Sequence, residues 1–140
     1  MEDENQIINK LDELIKIQSQ TLKTLEFIEK PIFVQDGDKK KVLRVHEICF
    51  VTTNAKGLDI FTSDGKKYIN FDSISNMDEE FKDDPRFMKT HKSFIVNFNF
   101  IDSVKVDSGR ELTFKGLPEE LKAKVAQDYI EEFDKRFGKS

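Results

Sequence analysis

Tryptophan is missing from this chain and cysteine occurs once, at Cys49. A lone cysteine closes no disulfide within the chain, a usage that fits a reducing compartment and predicts a cytoplasmic protein. Proline (three residues) and glycine (six) are too scarce for a collagen-like or low-complexity chain. No stretch approaches the roughly 18 consecutive apolar residues that suggest a membrane span. The opening Met1-Glu2-Asp3-Glu4 is acidic where a secretion signal would be basic and then apolar, so neither secretion nor membrane insertion is expected. Histidine occurs only at His46 and His91, which with one cysteine leaves little from which to build a nucleophile and an oriented base. No glycine-rich phosphate loop is present. His46 and Cys49 stand three residues apart, yet no second pair completes a zinc site. An enzyme, a metal and a cofactor are therefore not expected.

Phenylalanine is what the chain has in place of tryptophan: thirteen residues, enough to fill a core within an apolar fraction of 37%. The length of 140 residues suits one domain plus an extension. Net charge is −4 and the pI is near 5.3, which argues against a protein that coats nucleic acid everywhere. One local basic edge would still suffice for binding, since affinity follows local contacts and the counterions they release.

Residues 3–30 have a helical period, with Ile7, Ile8, Leu11, Leu14, Ile15, Leu22, Leu25 and Ile28 at spacings of three and four until Pro31 stops it. The stripe has Gln18 and Thr21 in its middle. It predicts either a coiled coil joining two copies, with Gln18 setting the register, or a helix lying on its own domain. Residues 31–41, with Asp36-Gly37-Asp38 and then Lys39, Lys40 and Lys41, have the composition of a turn-rich linker. From Val42 the period becomes that of strands: Val42–Val45, Ile48–Val51, Leu58–Thr62, then the Asp64-Gly65 turn into Lys66–Phe71. Ile48–Val51 is apolar on both faces and predicts a central strand with Cys49 buried. Asp72–Lys82 predicts a short helix capped by Asp72 or Ser73, turning Ile74, Met77 and Phe81 inward. The acids Asp78, Glu79, Glu80, Asp83 and Asp84 mark a solvated face.

The stretch from Arg86 to Val104 sets Arg86, Lys89 and Lys92 against the single acid Asp102, among phenylalanines. Basic groups beside apolar anchors are the footprint of a phosphate-reading surface. Phe87, Phe94, Ile95 and Val96 are core anchors on this reading, His91 is a hydrogen-bonded structural residue, and Asn97 turns or caps the backbone. Lys89 would stand one helical turn before Lys92 if the segment coils. Further on, Ser108-Gly109 predicts a turn into Arg110–Phe114. After Pro118, the recurrence of Leu121, Val125, Tyr129, Phe133 and Phe137 predicts a helix over 118–137 ended by Gly138.

Phe87, then His91-Lys92-Ser93-Phe94-Ile95-Val96-Asn97, then Ile101 resembles the signature of the LytTR-type DNA-binding domain of bacterial transcriptional regulators, and the likeness runs roughly from Lys40 to Phe137. The resemblance implies a mainly β (α+β) fold: an elongated antiparallel β-sheet with short helices over 42–140, here preceded by the long amphipathic N-terminal helix. It also implies a return strand near Lys122–Ala126 and a shorter final helix, in conflict with the periodicity. Lys92 stands where the family has a DNA-contacting residue. Asn54 and Lys56, in the loop after a strand, stand where the family reaches a major groove. Gln127 lies within Ala126-Gln127-Asp128, where the family often has serine and arginine; glutamine can bond adenine, while Asp128 would repel phosphate. The implied DNA-binding residues are thus Asn54, Lys56, Lys89, Lys92 and Gln127. The function expected is a sequence-specific regulator of transcription that binds double-stranded DNA as a homodimer joined through residues 3–30. The alternative is an adaptor of the same fold that has lost DNA affinity and docks a partner regulator or a membrane-bound controller through its N-terminal helix.

Overall fold

The computed structural model describes residues 30–138. The helix expected over 3–30, the coil and the register role of Gln18 lie outside the described residues, Lys30 excepted. From Pro31 the chain forms β1 (Pro31–Asp36), β2 (Lys39–Arg44), β3 (Ile48–Thr53), β4 (Leu58–Thr62), β5 (Lys67–Asn70), α1 (Ile74–Phe81), β6 (Phe87–His91) and β7 (Phe94–Asn97). It continues with β8 (Ile101–Val106), β9 (Arg110–Phe114), β10 (Ala123–Val125) and α2 (Ile130–Phe137). Two antiparallel sheets result, one in the order β2-β1-β5-β4-β3-β7-β6 and one in the order β10-β9-β8.

The linker expected over 31–41 is instead a hairpin. Ile32 and Val34 alternate inward on β1, Gly37 turns with φ of 62°, and Lys39, Lys40 and Lys41 belong to β2. Of the β2 side chains only Leu43 is buried. Composition conceals such a strand because it is a sheet edge, and lysines there keep the open ladder from pairing with other chains.

β3 lies inside the large sheet, between β4 and β7, and its first four residues are buried. A bulge opposite β4 between Ile48 and Phe50 lets Cys49 and Phe50 face one core while Ile48 and Val51 face the other. In the first core α1 covers the sheet with Met77 and Phe81, and the Phe81 ring stacks on Phe87 at 4.3 Å. Ser73 caps α1 by accepting the Asn76 N–H at 3.1 Å. In the second core the large sheet meets the small sheet and α2. Phe50 stacks between Phe61 and Phe114, each 4.6 Å away, and Phe133 closes the cluster. Cys49 is fully buried here, and burial, with a smaller contribution from the Asp64 charge, pushes its thiol up to about 12.

The C-terminal conflict resolves toward the return strand. Ala123 and Val125 are buried in β10, paired with β9, and a tight turn over Gln127–Tyr129 leads into α2, which ends at Gly138. A spacing of four is even, so Leu121 and Val125 share a face in a strand as readily as in a helix. The segment holding Lys89 does not coil either: it is β6, paired with β7.

Candidate nucleic-acid interface

Three chain segments meet at one end of the two sheets. β3 ends at Thr53, whose N–H donates to the Ser93 carbonyl at 3.1 Å, which ties the β3–β4 loop to the β6–β7 turn. On the other side of that turn, Thr90 donates its hydroxyl to the Lys124 carbonyl at 2.9 Å and accepts, at its carbonyl, the Ala126 N–H at 2.8 Å. The join between β10 and α2 is thereby fixed to β6. Thr90 is fully buried, so these bonds are shielded from water.

Each segment brings one of the residues singled out from sequence. Lys56 is exposed at the tip of the β3–β4 loop, Lys92 is exposed in the β6–β7 turn, and Gln127 is exposed at the start of the turn after β10. Asn54 shapes the loop beneath Lys56. Its Oδ1 accepts the N–H groups of Lys56 and Gly57, each at 2.7 Å, and its Nδ2 donates to Asp59 at 2.7 Å. The amide carries two N–H groups, so one hydrogen remains beyond the bond to Asp59. The loop also needs Gly57, where a Cβ would stand 2.5 Å from the Asn70 carbonyl oxygen and 2.9 Å from Phe71 Cα.

Lys89 does not join this group. Its half-buried side chain lines a groove between α1 and α2 with Asp78 and Glu132. Burial pushes the Asp78 carboxyl up, and the Lys89 charge opposes that shift.

His91 stands at the centre of the cluster. Its Nδ1 accepts the Ser93 N–H at 3.0 Å, which assigns the ring proton of the neutral form to Nε2, and the ring meets Phe94 edge-on at 5.4 Å. Burial first, then the charges of Lys92 and Lys124, hold its pKa below the ordinary histidine range. Lys124 is the residue that sequence reasoning missed. It is exposed between buried Ala123 and Val125, an outward position that reading 123–125 as a strand would have revealed. Asn97, at the far end of β7, is fully buried; it donates to the Ile48 carbonyl at 2.9 Å and accepts the Asn99 N–H at 2.9 Å.

Among the described residues no group of three histidine, cysteine or acidic side chains is placed to hold a metal ion, and no helix is long and apolar enough to cross a membrane.

The fold is a β scaffold that carries lysines and amides on the loops at one end of its sheets, and loops on a rigid scaffold are where binding residues concentrate. The model of the LytTr DNA-binding domain matches residues 38–138, and the chain belongs to that family. Among solved structures it is similar to the LytTr DNA-binding domain of a Bacillus cereus protein described as a methyl-accepting/DNA response regulator. That likeness has a TM-score of 0.63 at 18% identity, covering 77% of this chain and 96% of the other. No curated protein matches the chain.

Proposed function

We propose that this chain is a sequence-specific DNA-binding regulator of transcription, which sets the loop end of its sheets against successive major grooves. The observation that carries this reading is the pair of ties from Thr53 to Ser93 and from Thr90 to Ala126. They hold Lys56, Lys92 and Gln127 on one end of a domain whose family is named for DNA binding. In this reading Lys56, Lys92 and Lys124 neutralise phosphates or bond guanine. Gln127 and the remaining Asn54 N–H supply amide contacts to base edges.

Reversing the charge of Lys92 tests it. The turn is exposed, so Lys92→Glu should fold normally and lose at least ten-fold in affinity for duplexes selected from the source genome, read by gel shift. Undiminished affinity would remove Lys92 from the interface.

One observation favours an adaptor as a second reading: Asp128 is exposed beside Gln127, where an acid repels phosphate. Retention of the full chain on heparin at low salt supports the regulator. Flow-through together with capture of a partner regulator or membrane-bound controller supports the adaptor.

A further inference from the structure

The small sheet turns Leu112, Phe114, Ala123 and Val125 into the second core, so the alternate positions of its strands form its outer face. Pairing sets these positions in rows. Lys105 stands opposite Glu111 and Glu111 opposite Lys124; in the next row Ser103 stands opposite Thr113, with Lys122 in line just before β10. Lys115 continues the alternation one residue past β9, its N–H bonded to the Phe100 carbonyl at 2.8 Å. Lys105, Lys115, Lys122 and Lys124 are all exposed. Glu111 is the acid at these outward positions, 3.8 Å from Lys122. The neighbouring acids Asp102, Asp107, Glu119 and Glu120 belong to the β8 bulge, the β8–β9 turn and the connection before β10. A chain of net charge −4 thus sets four lysines against one acid on a single sheet face.

We propose that this face carries the phosphate backbone of DNA flanking the bases that the loop end reads, an inference that rests on the DNA-binding reading above. The first reason is continuity. Lys124 belongs to both surfaces: its carbonyl accepts the Thr90 hydroxyl, and its charge acts on His91 beside the Lys92 turn. The second reason is chemistry. The outward positions hold ammonium and hydroxyl groups and no apolar side chain, which suits phosphate oxygens. A protein partner would ask for an apolar centre, from which lysine is depleted. The third reason is reach. From the row of Lys124 to Lys115 the face runs four residues of strand, about 14 Å, a length over which one DNA strand presents about four phosphates.

At the end nearest the loops, Lys105, Glu111 and Lys124 line one shallow groove of about 250 Å³ together with Ser108 of the β8–β9 turn. The track therefore starts where the loop end stops. It adds affinity without selecting among flanking bases, because backbone contacts carry no sequence information directly.

Binding isotherms of the full chain on two duplexes test it, one trimmed to the selected site and one extended on each side by a helical turn of scrambled sequence. Lys105→Gln, Lys115→Gln and Lys122→Gln are combined in one variant that leaves the loop-end residues intact, so its binding to the trimmed duplex also reports its folding. The wild type should bind the extended duplex at least ten-fold tighter at about 0.1 M salt, with a slope steeper by roughly 0.9 for each lysine engaged. The variant should lose that gain and match the wild type on the trimmed duplex. An equal gain in both proteins overturns the proposal, as does a variant weakened equally on both duplexes. Capture of polyglutamate by these lysines without any flank effect overturns it in favour of an acidic protein segment. A wild type that binds neither duplex fails the DNA-binding reading itself, and the proposal with it. Hydroxyl-radical footprinting of the wild type on the extended duplex needs no variant: protection that runs past the selected site supports the track, and protection confined to the site overturns it.

Discussion

Asn54 accepts two backbone N–H groups and donates to Asp59, so its replacement by alanine strands two donors in the loop that carries Lys56. A hydrogen-bond set of this kind, part of it in water, contributes roughly 1–2 kcal/mol. Asn54→Ala should lower the urea midpoint by a corresponding amount without changing the m-value. It should also weaken DNA binding, since a loosened loop no longer holds Lys56 beside the Lys92 turn. His91 is the neighbouring residue whose charge state matters. Burial and two lysines hold its pKa below the unfolded value of about 6.5, so the unfolded chain binds the proton more readily. The stability it contributes is therefore complete above about pH 6.5 and is lost as pH falls through the lower folded value. The denaturation midpoint should drop over that window in the wild type and drop less in His91→Gln, a difference that separates His91 from exposed His46. Equal pH profiles for the two proteins would show that the ring does not gain or lose its proton on unfolding. The structural role of His91 was legible in the sequence from its aromatic neighbours. Its charge environment was not, because Lys124 approaches it through the bonds that Thr90 makes to the Lys124 carbonyl and the Ala126 N–H, 34 and 36 positions along the chain.

At the scale of elements, the β3–β4 loop depends on a missing side chain. A Cβ at Gly57 would meet the backbone of Asn70 and Phe71, which cannot move aside as a flexible side chain can. Gly57→Ala should cost about 1–3 kcal/mol, in the range of overpacked substitutions, and thermal denaturation would read it. A variant as stable as the wild type would mean that β5 shifts freely under the loop. Gly57 looked like a plain loop residue in the sequence, because the strand it rests on is contributed by residues thirteen and fourteen positions later. The same distinction runs through the whole fold. β3, β4, β5 and α1 were legible because their apolar periods are local and their turns carry Asp64-Gly65 and the Ser73 cap. The β1–β2 hairpin was hidden because an edge strand buries one side chain and fills the rest with charge. β10 was hidden because its apolar spacing satisfies both periods, and only pairing with β9 selects the strand. Of the residues the resemblance implied, Lys56, Lys92 and Gln127 lie on segments joined by the Thr53–Ser93 and Thr90–Ala126 hydrogen bonds. Lys89 lies apart, since a strand at β6 sends it to the α1 side, where a helix would have stacked it near Lys92.

For the whole molecule, the balance of charge decides how DNA binding responds to salt. The described residues are almost neutral, with nineteen basic groups against twenty acids, so attraction to DNA has to come from where the lysines stand. Lys56, Lys92 and Lys124 stand at the loop end. Lys39 stands at the opposite end of the sheet, beside the Gly37 turn and paired with Asp36. Counterion release makes log K fall with log salt at a slope of about −0.9 for each phosphate neutralised. Lys92→Gln and Lys124→Gln should each make that slope shallower by roughly 0.9 and weaken binding to every sequence alike. Gln127→Ala should leave the slope where it is and narrow the gap between the preferred duplex and a scrambled one, because a neutral amide reads bases and displaces no counterion. Lys39→Gln should change neither. Binding isotherms at four salt concentrations on both duplexes separate these outcomes. A slope that responds to Lys39 but not to Lys92 or Lys124 would move the DNA to the opposite end of the molecule, against the β1–β2 hairpin.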